Sequence, residues 1–127
     1  MTHDNWHNEQ FMNAKRSEVA NTAQLVRDGE MSVVEGAWKL SALRHEVSRK
    51  DFDDDFMLFV AIASETDHLP VGEVRKQYSQ DALRKADKEI EEVGKFYRAQ
   101  VNATCEKLIA RFSHASRTFR SRTWRRH

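Results

Sequence analysis

The sequence predicts an all-α fold, a single-domain four-helix bundle with a long C-terminal helix, and three observations carry that prediction. The chain has only four glycines and one proline, too few for a meander of short strands, which needs a turn signal every ten residues or so. Leu83, Ala86, Ile90, Val93, Tyr97, Val101, Cys105, Leu108 and Phe112 recur every three or four residues, the spacing of one helix face over about eight turns. A cap signal precedes the second stripe: Ser32, with Glu35 three positions on. At such a position a hydroxyl accepts a hydrogen bond from a first-turn amide.

Each element follows from local chemistry. A helix is expected from Asp4 to Asp28, with Phe11, Met12, Val19, Ala23 and Val26 inward and Gly29 as its left-handed stop. Ser32 starts the next, whose stripe is Val33, Ala37, Leu40, Leu43 and Val47, with Trp38 beside it. Gly36 weakens its first turn by about 1 kcal/mol relative to Ala, which close packing against a neighbour would offset. Acids in "RKDFDDD" suit the positive end of a third helix, Asp53 to Ser64. Its run from Phe56 to Ala63 is apolar all round, as in a helix buried on most sides. Leu69 and Pro70 end that segment, since proline has no amide to donate and restricts its predecessor. The last helix opens at Ser79 or Gln80. The bundle domain is expected over residues 1–112, followed by a basic tail, 113–127.

Composition narrows location and class. The eight-residue run Phe56 to Ala63 is far short of the ~20 residues needed to cross a bilayer. The N-terminus lacks a secretory signal's basic and apolar regions. Cys105 is the single cysteine, which excludes an internal disulfide or a CxxC motif, and its place on the α-helical stripe suits a small buried apolar group. A cytoplasmic location is expected, with no membrane association and no cofactor or metal indicated. The formal net charge of +1 conceals an asymmetry: residues 1–110 carry 15 basic and 20 acidic side chains, net −5, and the remainder is arginine-rich without acids.

Three constellations bear chemistry. "LRHE" (Arg44, His45, Glu46) and "SETDH" (Glu65, Thr66, Asp67, His68) hold residue types suited to metal binding or acid–base work. Adjacent His45 and Glu46 point about 100° apart on a helix, unlike an i, i+4 metal pair. The structural alternative has Ser64, Thr66 and Asp67 capping and turning the chain while Arg44 or His45 pairs with a carboxylate across the bundle. "LPVGEVRKQY" offers a Pro-x-Gly step beside Arg75 and Lys76, an anion-binding pattern without the Lys-Ser/Thr of a nucleotide loop; the plainer reading is a helix connection. In the tail, Arg117, Arg120, Arg122, Trp124, Arg125 and Arg126 combine phosphate-binding guanidinium groups with a stacking ring. A solvated extension has the same composition. Trp6 and His7 add a surface or simply pack at the start of the first helix.

The order "GEMSVVEGAWKLSALRHE", "FVAIASETDHLPVGEVRKQYSQDALRKADKEI" and "LIARF" resembles a family of small uncharacterised bacterial proteins. The likeness covers about residues 26–112, which leaves the arginine-rich tail outside it. The resemblance implies that Arg44, His45, Glu46, Glu65, Thr66, Asp67, Leu69, Pro70, Gly72 and Arg75 belong to the family pattern. A looser likeness is to bacterial immunity proteins. These readings lead to a non-enzymatic protein-binding module, most specifically one that masks the active surface of a cognate toxin, because an acidic body suits a basic partner. The alternatives are nucleic-acid binding through the tail and an enzyme at the LRHE/SETDH residues.

Overall fold

The computed structural model describes residues 2–48 and 52–113. Among them are four α-helices, α1 (Thr2–Arg27), α2 (Val33–Val47), α3 (Asp54–Glu65) and α4 (Gln80–Phe112), a 3-10 helix (Gly72–Gln77) and no strand. The fold is an all-α bundle with a long C-terminal helix, as the periodicity predicts. The side chains of Trp6 and His7 and the whole of the arginine tail from residue 114, with Arg117, Arg120, Arg122, Trp124, Arg125 and Arg126, lie outside the described residues.

Local signals set the helix ends. Gly29 adopts φ +80°, its amide donating to Val26 O and that of Glu30 to Leu25 O. The paired bonds form a Schellman stop, which satisfies carbonyls that α1 leaves open. Ser32 Oγ accepts from the Glu35 amide at 3.0 Å, while the Glu35 carboxylate lies 3.9 Å from Lys39 Nζ; the capping box closes on the serine side only. α1 presses closely on α2 at Gly36: a Cβ there would stand 2.1 Å from Val26 Cγ2. Asp53 caps α3 and Ser79 caps α4, each accepting from a first-turn amide at 3.1 Å.

α1 packs against α2 and α4, α2 against α3, and α3 much more on α2 than on α4. Val19, Ala23 and Val26 meet Leu40, then Phe56, Phe59 and Ile62, then Val101, Cys105 and Leu108 in one core. Each fully buried aliphatic or aromatic side chain there contributes about 1.5–3 kcal/mol. Long-range bonds give the directions. Arg111 meets Asp53 and Asp55 at the start of α3 while Tyr97 meets Glu65 at its end, so these two helices run antiparallel. At the end of α1, Arg98 donates to Val26 O at 3.0 Å.

Three expectations need correction. Phe11 is half exposed, with Lys15 Nζ 5.4 Å from its ring centre; the inward row begins at Val19, because α1 reaches the core only from there. α3 is an outer helix. Phe56, Phe59 and Ile62 are buried, but Met57, Leu58, Val60 and Ala63 are half buried and Ala61 is exposed. Finally, the α4 stripe is fully buried only in part. Val101, Cys105, Leu108 and Phe112 are buried, whereas Leu83, Ile90, Val93 and Tyr97 are half buried. At 33 residues, α4 is about 50 Å long, and its N-terminal half extends past the end of α1.

Candidate protein-interaction site

The stretch from Ser64 to Gly72 holds three elements together. Thr66 is 1% exposed. Its hydroxyl donates to Ile62 O at 2.7 Å and accepts from Trp38 Nε1 at 3.0 Å, which fastens the end of α3 to α2. Glu65 accepts from Tyr97 Oη at 2.6 Å, an arrangement that raises the phenol above its ordinary pKa. His68 Nε2 lies 2.8 Å from Glu89. Leu69 is buried with Val34 and Ala86, and Trp38, Val71 and Ile90 pack around them.

The 3-10 helix that follows is fixed to α4 by charge. Arg75 donates to both oxygens of Asp87, at 2.8 and 3.0 Å, and reaches Pro70 O at 3.3 Å. The bidentate bond holds the Asp87 carboxyl below the usual carboxylate range. Lys76 Nζ lies 2.9 Å from Glu73. Both cations that would serve an anion-binding loop thus lie against acids, and the segment forms a 3-10 helix between α3 and α4.

LRHE and SETDH do not form one cluster. Trp38 marks where SETDH meets α2, and His45 and Glu46 follow seven and eight residues later, roughly 10–12 Å along the helix. Both are exposed. Among the described residues Arg44 donates to Ser41 O and Oγ at 2.5 and 3.0 Å, within its own helix, and to no carboxylate across the bundle. Its Nε is buried with no hydrogen-bond partner among the described residues. Among the described residues no group of three His, Cys, Asp or Glu is placed to hold a metal ion. Burial lifts the Cys105 thiol to about 11, so it stays protonated at neutral pH.

Asp67 and His45 instead share a surface with residues that sequence reasoning leaves aside. The outer seam of α2 and α3 holds a shallow cavity of about 270 Å³ lined by Trp38, Ser41, Ala42, Ala63 and Asp67. Trp38, Ala42 and His45 follow at i, i+4 and i+7 on one side of α2, as Met57, Val60 and Ser64 do at i, i+3 and i+7 on α3. The sides of the hairpin are in register, because Thr66 bonds Trp38 at one end and Ser48 bonds Asp53 at the other. The outcome is an apolar face on a helix whose segment 52–67 contains five acids and no lysine or arginine. Asp54 and Asp67 are exposed at its edges. The available signals for this face are Trp38, which falls beside its helix's stripe, and a run too apolar for one buried side.

Among the described residues no helix is long and apolar enough to cross a membrane. No curated protein and no solved structure matches the chain. A family model described as a protein of unknown function, DUF2489, matches residues 4–108. That match spans α1, α2, α3 and the 3-10 helix and most of α4, so the chain belongs to the DUF2489 family.

Proposed function

We propose that the protein is a non-catalytic binding module, of the kind that neutralises a toxin by covering its active surface, and that the outer α2–α3 seam is the covering face. The observation that carries this reading is the apolar centre Met57, Val60 and Ala61 with the exposed acids Asp54 and Asp67 at its edges. Such a face suits a basic protein that offers an apolar side chain, with the acids speeding encounter and the centre holding the complex. The polar groups of SETDH support the face by fastening α3 to α2 through Thr66 and Trp38.

Growth rescue tests the proposal. The product of the adjacent gene is expressed with and without this chain, and rescue by the wild type together with loss of rescue by Val60→Lys is expected. Val60 is half buried, so circular dichroism should show the variant folded. An adjacent product that neither slows growth nor binds, or a Val60→Lys chain that rescues as well as wild type, would overturn it.

A further inference from the structure

A second feature lies between the start of α2 and the N-terminal half of α4. Beyond the point where α1 stops, the face of α4 that α1 would cover stays open as a groove of about 620 Å³. It is lined by Ser32 and Val33 on one wall and by Asp87, Ile90, Glu91, Gly94, Lys95 and Arg98 along α4. These α4 positions step by three and four, so they form one face of the helix. Its apolar floor is Val33, Ile90 and Gly94. Its charges are ordered, with acids at 87 and 91 and bases at 95 and 98.

That order makes the face its own complement in reverse. When a second α4 runs antiparallel across the first, with a two-fold axis near residues 92–93, Glu91 faces Lys95 of the other copy. Asp87 then faces Arg98 of the other copy. Ile90 comes opposite Gly94, which lines the groove beside Val33. Arg98 and Asp87 already bond Val26 O and Arg75 within the chain. The pair free to choose is Glu91 with Lys95, 77% and 71% exposed at the lysine and the glutamate and linked only by a 3.5 Å contact along their own helix. The end of α1 closes the slot past Arg98, so the two helices cross at an angle; rows spaced by four residues interlock at about −50°.

We infer that this groove takes a second copy of the same chain, forming an antiparallel α4–α4 homodimer whose two-fold axis passes near residues 92–93. The dimer leaves the outer α2–α3 seam free and stands independently of the function proposed above.

The charge order gives a test that no other occupant would satisfy. Full-length wild type, Glu91→Lys and Lys95→Glu are compared by sedimentation equilibrium over a concentration series. Wild type is expected to dimerise. Each single variant opposes like charges across the axis and should dimerise at least about tenfold more weakly. An equal mixture of the two variants restores both cross-axis pairs and should recover wild-type association as a heterodimer. Circular dichroism of each variant confirms that α4 is intact. A wild type that stays monomeric throughout, a dimer indifferent to either reversal, or a mixture no stronger than its components would overturn the inference.

Discussion

Two glycines in helices face opposite demands. Gly36 sits where α1 presses on α2, and an added methyl would meet Val26 Cγ2 at 2.1 Å. Gly36→Ala therefore trades a helix-propensity gain against overpacking that typically costs 1–3 kcal/mol, and urea titration should show net destabilisation of about 1–2 kcal/mol. Gly94 is buried too, yet a Cβ there would lie an ordinary 3.8 Å from Val33 Cγ2. Gly94→Ala should stabilise the monomer by roughly 0.5–1 kcal/mol in the same titration. Thr66→Val keeps the volume but removes the acceptor for Trp38 Nε1, a loss of about 1–3 kcal/mol if that indole N–H is left dry. Asp53 governs behaviour in acid. The Arg111 guanidinium, helped by Ser48 Oγ and the Asp55 amide, holds its carboxyl at about 2. A depressed folded value stabilises the fold above the unfolded pKa of roughly 4 and is lost as pH falls toward 2. Thermal melts from pH 5 to pH 2 should show a loss of roughly 1–2 kcal/mol that Asp53→Asn abolishes; Arg111 is partly in water, which limits the size.

At the scale of elements, α3 and α4 show what local pattern can and cannot specify. Gly29, Ser32, Asp53 and Ser79 mark their helix ends in the sequence because caps depend on a few adjacent residues. The stripe of α4 likewise reveals which side faces inward. It does not reveal how far the neighbours extend, so the half-open positions at Ile90 and Val93 follow only once α1 is seen to end at Arg27. α3 is the harder case: apolar residues all round carry no preferred direction, and depth in the bundle depends on which helices arrive on each side. The pairing of Arg75 with Asp87 and of His68 with Glu89 was illegible for the same reason, since it joins positions 12 and 21 residues apart. The 3-10 helix has no side-chain cap to announce it. Because α3 is held mostly by α2 and closed at each end by Asp53 and Thr66, its middle should open before the core does. Hydrogen exchange is expected to protect the α4 amides near Cys105 more strongly than those of α3 near Ala61.

Charge is distributed unevenly over the whole molecule. Residues 1–112 hold 16 basic and 20 acidic side chains, net −4, and the five remaining arginines follow in the tail. Deleting residues 113–127 removes none of the described core residues and turns a weakly basic chain into an acidic one. If the covering face works as proposed, this deletion should leave neutralisation of a basic partner unchanged or improved, with an association rate that falls as salt rises. Stopped-flow measurements at two ionic strengths would check both points. The same deletion should abolish any salt-sensitive RNA binding, because the phosphate-binding candidates are confined to the tail.

The bond from Trp38 to Thr66 also supplies an optical probe. The chain has three tryptophans, Trp6, Trp38 and Trp124; with the first and last replaced by phenylalanine, emission comes from an indole that lines the α2–α3 cavity and whose N–H is already fixed. A protein seated over the seam would dehydrate that ring and shift its emission to shorter wavelength. Association through the α4 groove, which Trp38 does not line, would leave the colour unchanged. One fluorophore thereby separates the two surfaces in a single titration.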